Sequence, residues 1–133
     1  MNNRKTIIDS NDRNSEFRKL EDIKDFISVE NVEIKNLNSI TDWSLLKKFS
    51  NARTLSLSNC LVDKKSFFES LSELKKISEL VVDHYCFFQD SDKKIEAKIK
   101  FPSVKKFIFV LPGKGVPDLD LPGTKEIKHN FIQ

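Results

Sequence analysis

Glycine, proline and cysteine are scarce in this chain of 133 residues, which has 3 Gly, 4 Pro and 2 Cys. So little Gly and Pro excludes a collagen-like chain and a Pro-rich linker. Cys60 and Cys86 form no CxxC pair and are too few for a disulfide framework. Both are expected to stay reduced, in a cytoplasmic or nuclear compartment. Long apolar runs are also lacking. The longest, residues 107–111, has the length of a strand and not of a membrane span. Residues 1–8 lack the continuing apolar run of a signal peptide, so no membrane partner is expected. Charge of one sign is missing too. Lys and Arg total 23 against 20 Asp and Glu, and a mixed net charge of +3 is a slight electrostatic footprint for nucleic acid.

What is present is bulky core material, with 11 Phe and a hydrophobic fraction of 38%, above the range of disordered chains. The length fits one domain, and at this size about two thirds of the unfolded surface can be buried without disulfides or metal. Residues 1–15 are polar and read as a flexible N-terminal arm. Residues 16–133 form the expected domain. Ser15 is placed to cap a helix over residues 16–27, where Phe17, Leu20, Ile23, Phe26 and Ile27 recur at helical spacing.

The strongest signal is an internal repeat. One copy has apolar positions Ala52, Leu55, Leu57, Cys60 and Val62. The same offsets recover Ile77, Leu80, Val82, Tyr85 and Phe87, and upstream Val29, Val32, Ile34 and Leu37, with Ile40 displaced by one. They recover Val104, Phe107 and Phe109 with Pro112, and a weaker last copy at Thr124, Ile127 and Ile132. Spacings of 23, 25, 27 and 20 residues separate Val32, Leu55, Leu80, Phe107 and Ile127. Between strands, residues 66–77 read as a helix through Phe67, Leu71, Leu74 and Ile77. Residues 42–49 read as a shorter one with Trp43, Leu46 and Phe49 inward. Residues 93–99 are ambiguous. The competing fold is a small α+β domain whose strands happen to be similarly spaced; it predicts antiparallel pairing or a broken strand order.

The run Leu55-Ser56-Leu57-Ser58-Asn59-Cys60 resembles the strand motif of the leucine-rich repeat family, L-x-x-L-x-L-x-x-N/C-x-L, with Cys60 on the N/C position. Leu37, Tyr85 and Pro112 depart from that position. The resemblance implies an α/β solenoid with parallel strands on a concave face and, here, a helical N-terminal cap. It further implies noncovalent protein recognition through that face, as in an adaptor, an inhibitor or an assembly subunit.

In that register the outward columns read Asn31, Thr54, Glu79, Lys106 and Glu126; then Glu33, Ser56, Val81, Ile108 and Lys128; then Lys35, Ser58, Asp83, Val110 and Asn130. Val81, Ile108 and Val110 stand together as candidate apolar anchors of a protein-binding surface. Glu79, Asp83 and Lys106 border them and would set specificity by charge. The opposing reading is burial, either under the C-terminal residues or within a fully covered parallel strand. The partner's identity and the oligomeric state are open.

Catalytic residues are not expected. The only histidines are His84 and His129, and no spacing of Cys60, His84 and Cys86 matches a thiol-catalytic or zinc pattern. Cys86 falls between apolar positions and is expected to be exposed but unreactive. Gly113-Lys114-Gly115 lacks the rest of a phosphate-binding loop and reads as a turn. No cofactor or metal is implied. RNA or DNA binding is the alternative, through Lys47-Lys48, Lys64-Lys65, Lys75-Lys76, Lys93-Lys94 and Lys105-Lys106. The first four pairs are expected near the convex side, and the last at a strand entrance.

Overall fold

The computed structural model describes residues 5–39, 41–82, 86–89, 99–100, 106–112, 119–120 and 126–132. The strands are β1 (Lys5–Asp9), β2 (Asn31–Lys35), β3 (Thr54–Ser58), β4 (Leu61–Asp63), β5 (Glu79–Val82), β6 (Phe87–Gln89), β7 (Ile99–Lys100), β8 (Lys106–Pro112), β9 (Leu119–Asp120) and β10 (Glu126–Ile132). One α-helix, α1 (Lys64–Leu71), follows β4, and Leu20–Asp22 and Trp43–Lys48 are 3-10 segments.

Six strands make one sheet in the order β1-β2-β3-β5-β8-β10, and every pair in it is parallel. The order follows the chain, as the repeat spacing predicts. The antiparallel pairing or broken order of the competing fold is not found among the described strands. The register is the predicted one: Val32 pairs with Leu55, Leu55 with Leu80, Leu80 with Phe107, and Phe107 with Ile127. Two further parallel pairs, β4 with β6 and β7 with β9, lie outside this sheet.

The strands form because their side chains alternate. Val32 and Ile34, Leu55 and Leu57, and Leu80 and Val82 are buried, while the residues between them are only partly covered. Parallel in-register pairing sets these apolar residues beside one another, and the segments between strands cover them. Phe67 and Phe68 of α1 are fully buried and meet edge to face at 5.2 Å; Trp43 meets Phe67 at 5.9 Å. The Trp43 indole N–H donates to the Leu61 carbonyl at 3.2 Å, so its polar atom is satisfied. Trp43, Leu46 and Phe49 are inward as expected. Their step of three matches the 3-10 turn, which has three residues per turn.

Successive strand entrances repeat one hydrogen-bond arrangement. The Arg53 and Thr54 N–H groups donate to the Glu30 carbonyl, and those of Ser78 and Glu79 donate to the Arg53 carbonyl. At the strand exits the amide of Asn59 donates to the side-chain oxygen of Asn36 at 2.8 Å, and that of Asn36 donates to the Asp9 carboxylate at 2.9 Å. Asn36 and Asn59 have φ of 63° and 51°, a left-handed conformation that asparagine tolerates better than most residues.

Several expectations are corrected. Lys5–Asp9, placed by composition in a flexible arm, pairs with β2 as the edge strand, and Ile8 is fully buried. Polar composition misled because the inward side of this edge strand offers only Thr6 and Ile8, and of the two only Ile8 is buried. No α-helix spans residues 16–27; only the 3-10 turn Leu20–Asp22 forms. Asp22 accepts from the Arg18 N–H and Asp25 from the Ser28 N–H, and such local bonds compete with a helix. Ser15 donates its hydroxyl to the Phe17 carbonyl and caps no helix. This loop still closes the sheet: the Asp9 N–H donates to the Phe17 carbonyl, and Leu20 and Ile23 are buried against the core.

The helix expected over residues 66–77 begins at Lys64, where Asp63 accepts from the Ser66 N–H, and ends at Leu71. Leu74 and Ile77 stay buried outside the helix; the chain tightens after α1 into bonds from the Glu73 and Leu74 N–H groups to carbonyls three residues back. Cys86 is buried, not exposed. Leu55 pairs with Leu80 but Leu61 pairs with Phe87, so the second segment carries one extra residue, and Cys86 takes the place opposite Cys60 that the spacing assigned to Tyr85. Likewise Phe88, not Phe87, pairs with Val62. Tyr85, Ile40, Thr124, Val104, residues 93–98 and the turn at 113–115 lie outside the described residues.

Three outcomes are expected. Phe67→Ala should destabilise the fold by about 3–5 kcal/mol in urea denaturation, through the cavity it leaves. Asn36→Ala should be more destabilising than Asn36→Gly, because alanine adds about 1–2 kcal/mol of left-handed strain while both lose the side-chain bonds. Neither cysteine should react with Ellman's reagent until the protein unfolds.

Candidate functional site

The face of the sheet opposite the core is built by the alternation that buries the inward residues. Register aligns its side chains into rows. One row runs Lys5, Asn31, Thr54 and Glu79, and continues in register to Lys106 and Glu126. The next runs Ile7, Glu33, Ser56 and Val81, and continues to Ile108 and Lys128. A third begins Asp9, Lys35 and Ser58.

The first two rows border a shallow hollow of about 390 Å³ lined by Lys5, Asn31, Thr54, Ser56, Glu79 and Val81. Thr54 donates its hydroxyl to the Asn31 side-chain oxygen at 2.9 Å, which orients both along the floor. Val81 and Glu79 are half-buried there. Beside the hollow, Glu33 accepts from Lys35 at 2.9 Å and from Lys5 at 3.3 Å. Partial burial pushes the Glu33 carboxyl up, but the hydrogen bonds and charges of the two lysines outweigh it and hold it below its ordinary value. The hydrogen bond and charge of Glu33 in turn raise Lys35. The Asn36 amide is the main influence holding the Asp9 carboxyl down.

Of the residues expected to bind a partner, Glu79 and Val81 line this hollow. Lys106 pairs with Glu79 and Ile108 with Val81, so both continue its rows. Val110 pairs with Asn130 on the next strand. Asp83 lies outside the described residues. The contribution of β1 was missed: Lys5 lines the hollow, and Ile7 is 41% exposed at the end of the second row. Its signal was the pair Thr6 and Ile8, which occupy the register positions of Val32 and Ile34.

The arrangement supplies a mixed-charge, partly apolar surface suited to noncovalent contact. Among the described residues, no three His, Cys, Asp or Glu side chains gather in a way that could hold a metal ion, and no helix is long and apolar enough to cross a membrane. No protein-family model matches the chain, and no curated protein or solved structure is significantly similar to it.

The lowered folded pKa of Glu33 means that its contribution to stability is present above the unfolded carboxylate range and fades as pH falls through the folded value. The stability difference between wild type and Glu33→Gln should therefore be largest near neutral pH and vanish in acid. Urea titrations across pH check this. Salt should shrink the difference, because Lys5 is exposed to solvent and Lys35 partly so.

Proposed function

We propose that the chain is a short, divergent leucine-rich-repeat-like solenoid that recognises another protein through the open face of its sheet, and that this face is concave. The observation that carries this reading is the row Ile7, Glu33, Ser56 and Val81, continued in register by Ile108. Its support is physical. Parallel strands in chain order present one side chain per turn at a spacing of about 4.8 Å, so a partner meets a continuous surface instead of isolated groups. Val81, Ile108 and Val110 serve as apolar anchors. Glu79, Asp83 and Lys106 surround them with charge that excludes mismatched partners. Two free thiols suit a reducing compartment, so the site of action is cytoplasmic or nuclear.

Affinity capture from lysate of the source cells, read by mass spectrometry, tests the proposal. Wild type is compared with Val81→Asp, Ile108→Asp and Lys65→Glu, the last on the exposed side of α1. Each variant is first shown by circular dichroism to be folded. A protein partner retained by Lys65→Glu and depleted about tenfold by the two face variants is the expected result. Folded Val81→Asp and Ile108→Asp that retain every wild-type partner would refute the assignment.

A further inference from the structure

A second surface lies away from the open face, on the loops that precede the strands. Ile27 is 64% exposed, the most exposed large hydrophobic residue among those described. It protrudes from the loop between Leu20–Asp22 and β2, in the region where the spacing predicted a helix. Phe26 beside it is half-buried, packs at a tilt of 58° against Phe49 with ring centroids 4.9 Å apart, and carries the Lys48 ammonium 5.5 Å from its ring centre.

Neighbouring loops hold this feature in place. The Asn51 side-chain amide donates to the Ile27 carbonyl at 2.9 Å, and Lys76 donates to the Asn51 side-chain oxygen at 2.7 Å. Three successive strand entrances are thereby tied side by side. Lys47 and Lys48 line the same hollow as Ile27, and Lys76 is joined to that loop through Asn51. Ile27, Phe26, Lys24, Lys47, Lys48 and Asp25 line a hollow of about 370 Å³. Among the described residues Asp25 is its one carboxylate, and it accepts from the Ser28 N–H. Lys24, Lys47 and Lys48 have no ion-pair partner among the described residues.

We propose that this rim hollow is a docking site for an acidic peptide segment. The segment inserts one apolar side chain against Ile27 and Phe26 and places carboxylates beside Lys24, Lys47 and Lys48. Charge complementarity and the apolar floor together select this occupant. A phosphate backbone is drawn to the lysines but gains nothing from Ile27 and Phe26. A bilayer takes up an extended apolar face, whereas Ile27 is the one large hydrophobic residue strongly exposed on this rim among the described residues, and Asp25 beside it would meet anionic headgroups. The site is independent of the open face of the sheet.

Selection of short random peptides displayed on phage, with the full chain as target and Ile27→Asp as counter-target, tests the proposal. The recovered pool should be enriched in sequences with acidic residues flanking a large apolar one. A fluorescein-labelled peptide from that pool should bind wild type and Lys65→Glu alike in fluorescence anisotropy. It should bind Ile27→Asp and the double variant Lys47→Glu/Lys48→Glu about tenfold more weakly, and its affinity should fall with added salt. The substituted side chains are at the surface, and circular dichroism confirms that each variant is folded. A pool without acidic enrichment, or peptide binding indifferent to both rim variants, overturns the proposal. Lysine-dependent binding of poly-dT or of phosphatidylserine vesicles with no selected peptide overturns it in favour of a nucleic-acid or membrane partner.

Discussion

A strand with one apolar face cannot bury that face by itself, and the rest of this structure depends on how its neighbours solve the problem. Parallel pairing in constant register places Ile8, Ile34, Leu57 and Val82 in one buried column and sets Val32 beside Leu55 and Leu80 in another. Strands about 4.8 Å apart bring these side chains into contact. A slip of one residue in any strand would turn its apolar pair outward and strand the columns on either side. The polar devices act at the ends of the strands and share that register. The Glu30 and Arg53 carbonyls receive the N–H groups of the next entrance, and the Asp9, Asn36 and Asn59 side chains link successive exits.

The same constraint creates the surfaces. Since register aligns the buried residues, it also aligns those facing away from the core, and so places Glu33 between Lys35 and Lys5 and carries Val81 next to Ser56. It aligns the loops before the strands as well. Ile27, Asn51 and Lys76 are far apart in sequence yet joined by two hydrogen bonds, because each belongs to a successive entrance. A face and a rim with different chemistry thus arise from one stacking rule. The face is mixed in charge and partly apolar; the rim pairs an exposed isoleucine with lysines.

Much of this was legible because the repeat leaves a strong trace in the chain. The offsets that locate Leu55 and Leu57 also locate Val32, Ile34, Leu80 and Val82, all of which are buried. Glu79 and Val81 follow as residues of the opposite face, since parity along a strand is unambiguous. The less legible parts share a cause: local pattern and tertiary context disagree there. β1 looked like an arm because its inward side offers only Thr6 and Ile8, and the stabilising partner lies across the sheet in β2. Residues 16–27 have helical spacing, but Asp22 and Asp25 turn the backbone, and Leu20 and Ile23 are buried from a loop. Cys86 was misplaced by one residue because the register between β3 and β5 differs from that between β4 and β6.

The sequence by itself determined which residues of the similarly spaced strands turn inward and which positions would align if those strands paired in chain order. These follow from a period of two within each strand and from recurring offsets between strands, both of which are one-dimensional properties; that the strands do pair parallel and in chain order is shown by the structure. Tertiary structure alone decided how the first edge is closed, that Cys86 joins Cys60 in the core and why Ile27 stands in solvent among lysines. Those outcomes depend on hydrogen bonds between separate segments, such as the Asp9 N–H to the Phe17 carbonyl and the Asn51 side-chain amide to the Ile27 carbonyl, and no local pattern encodes them.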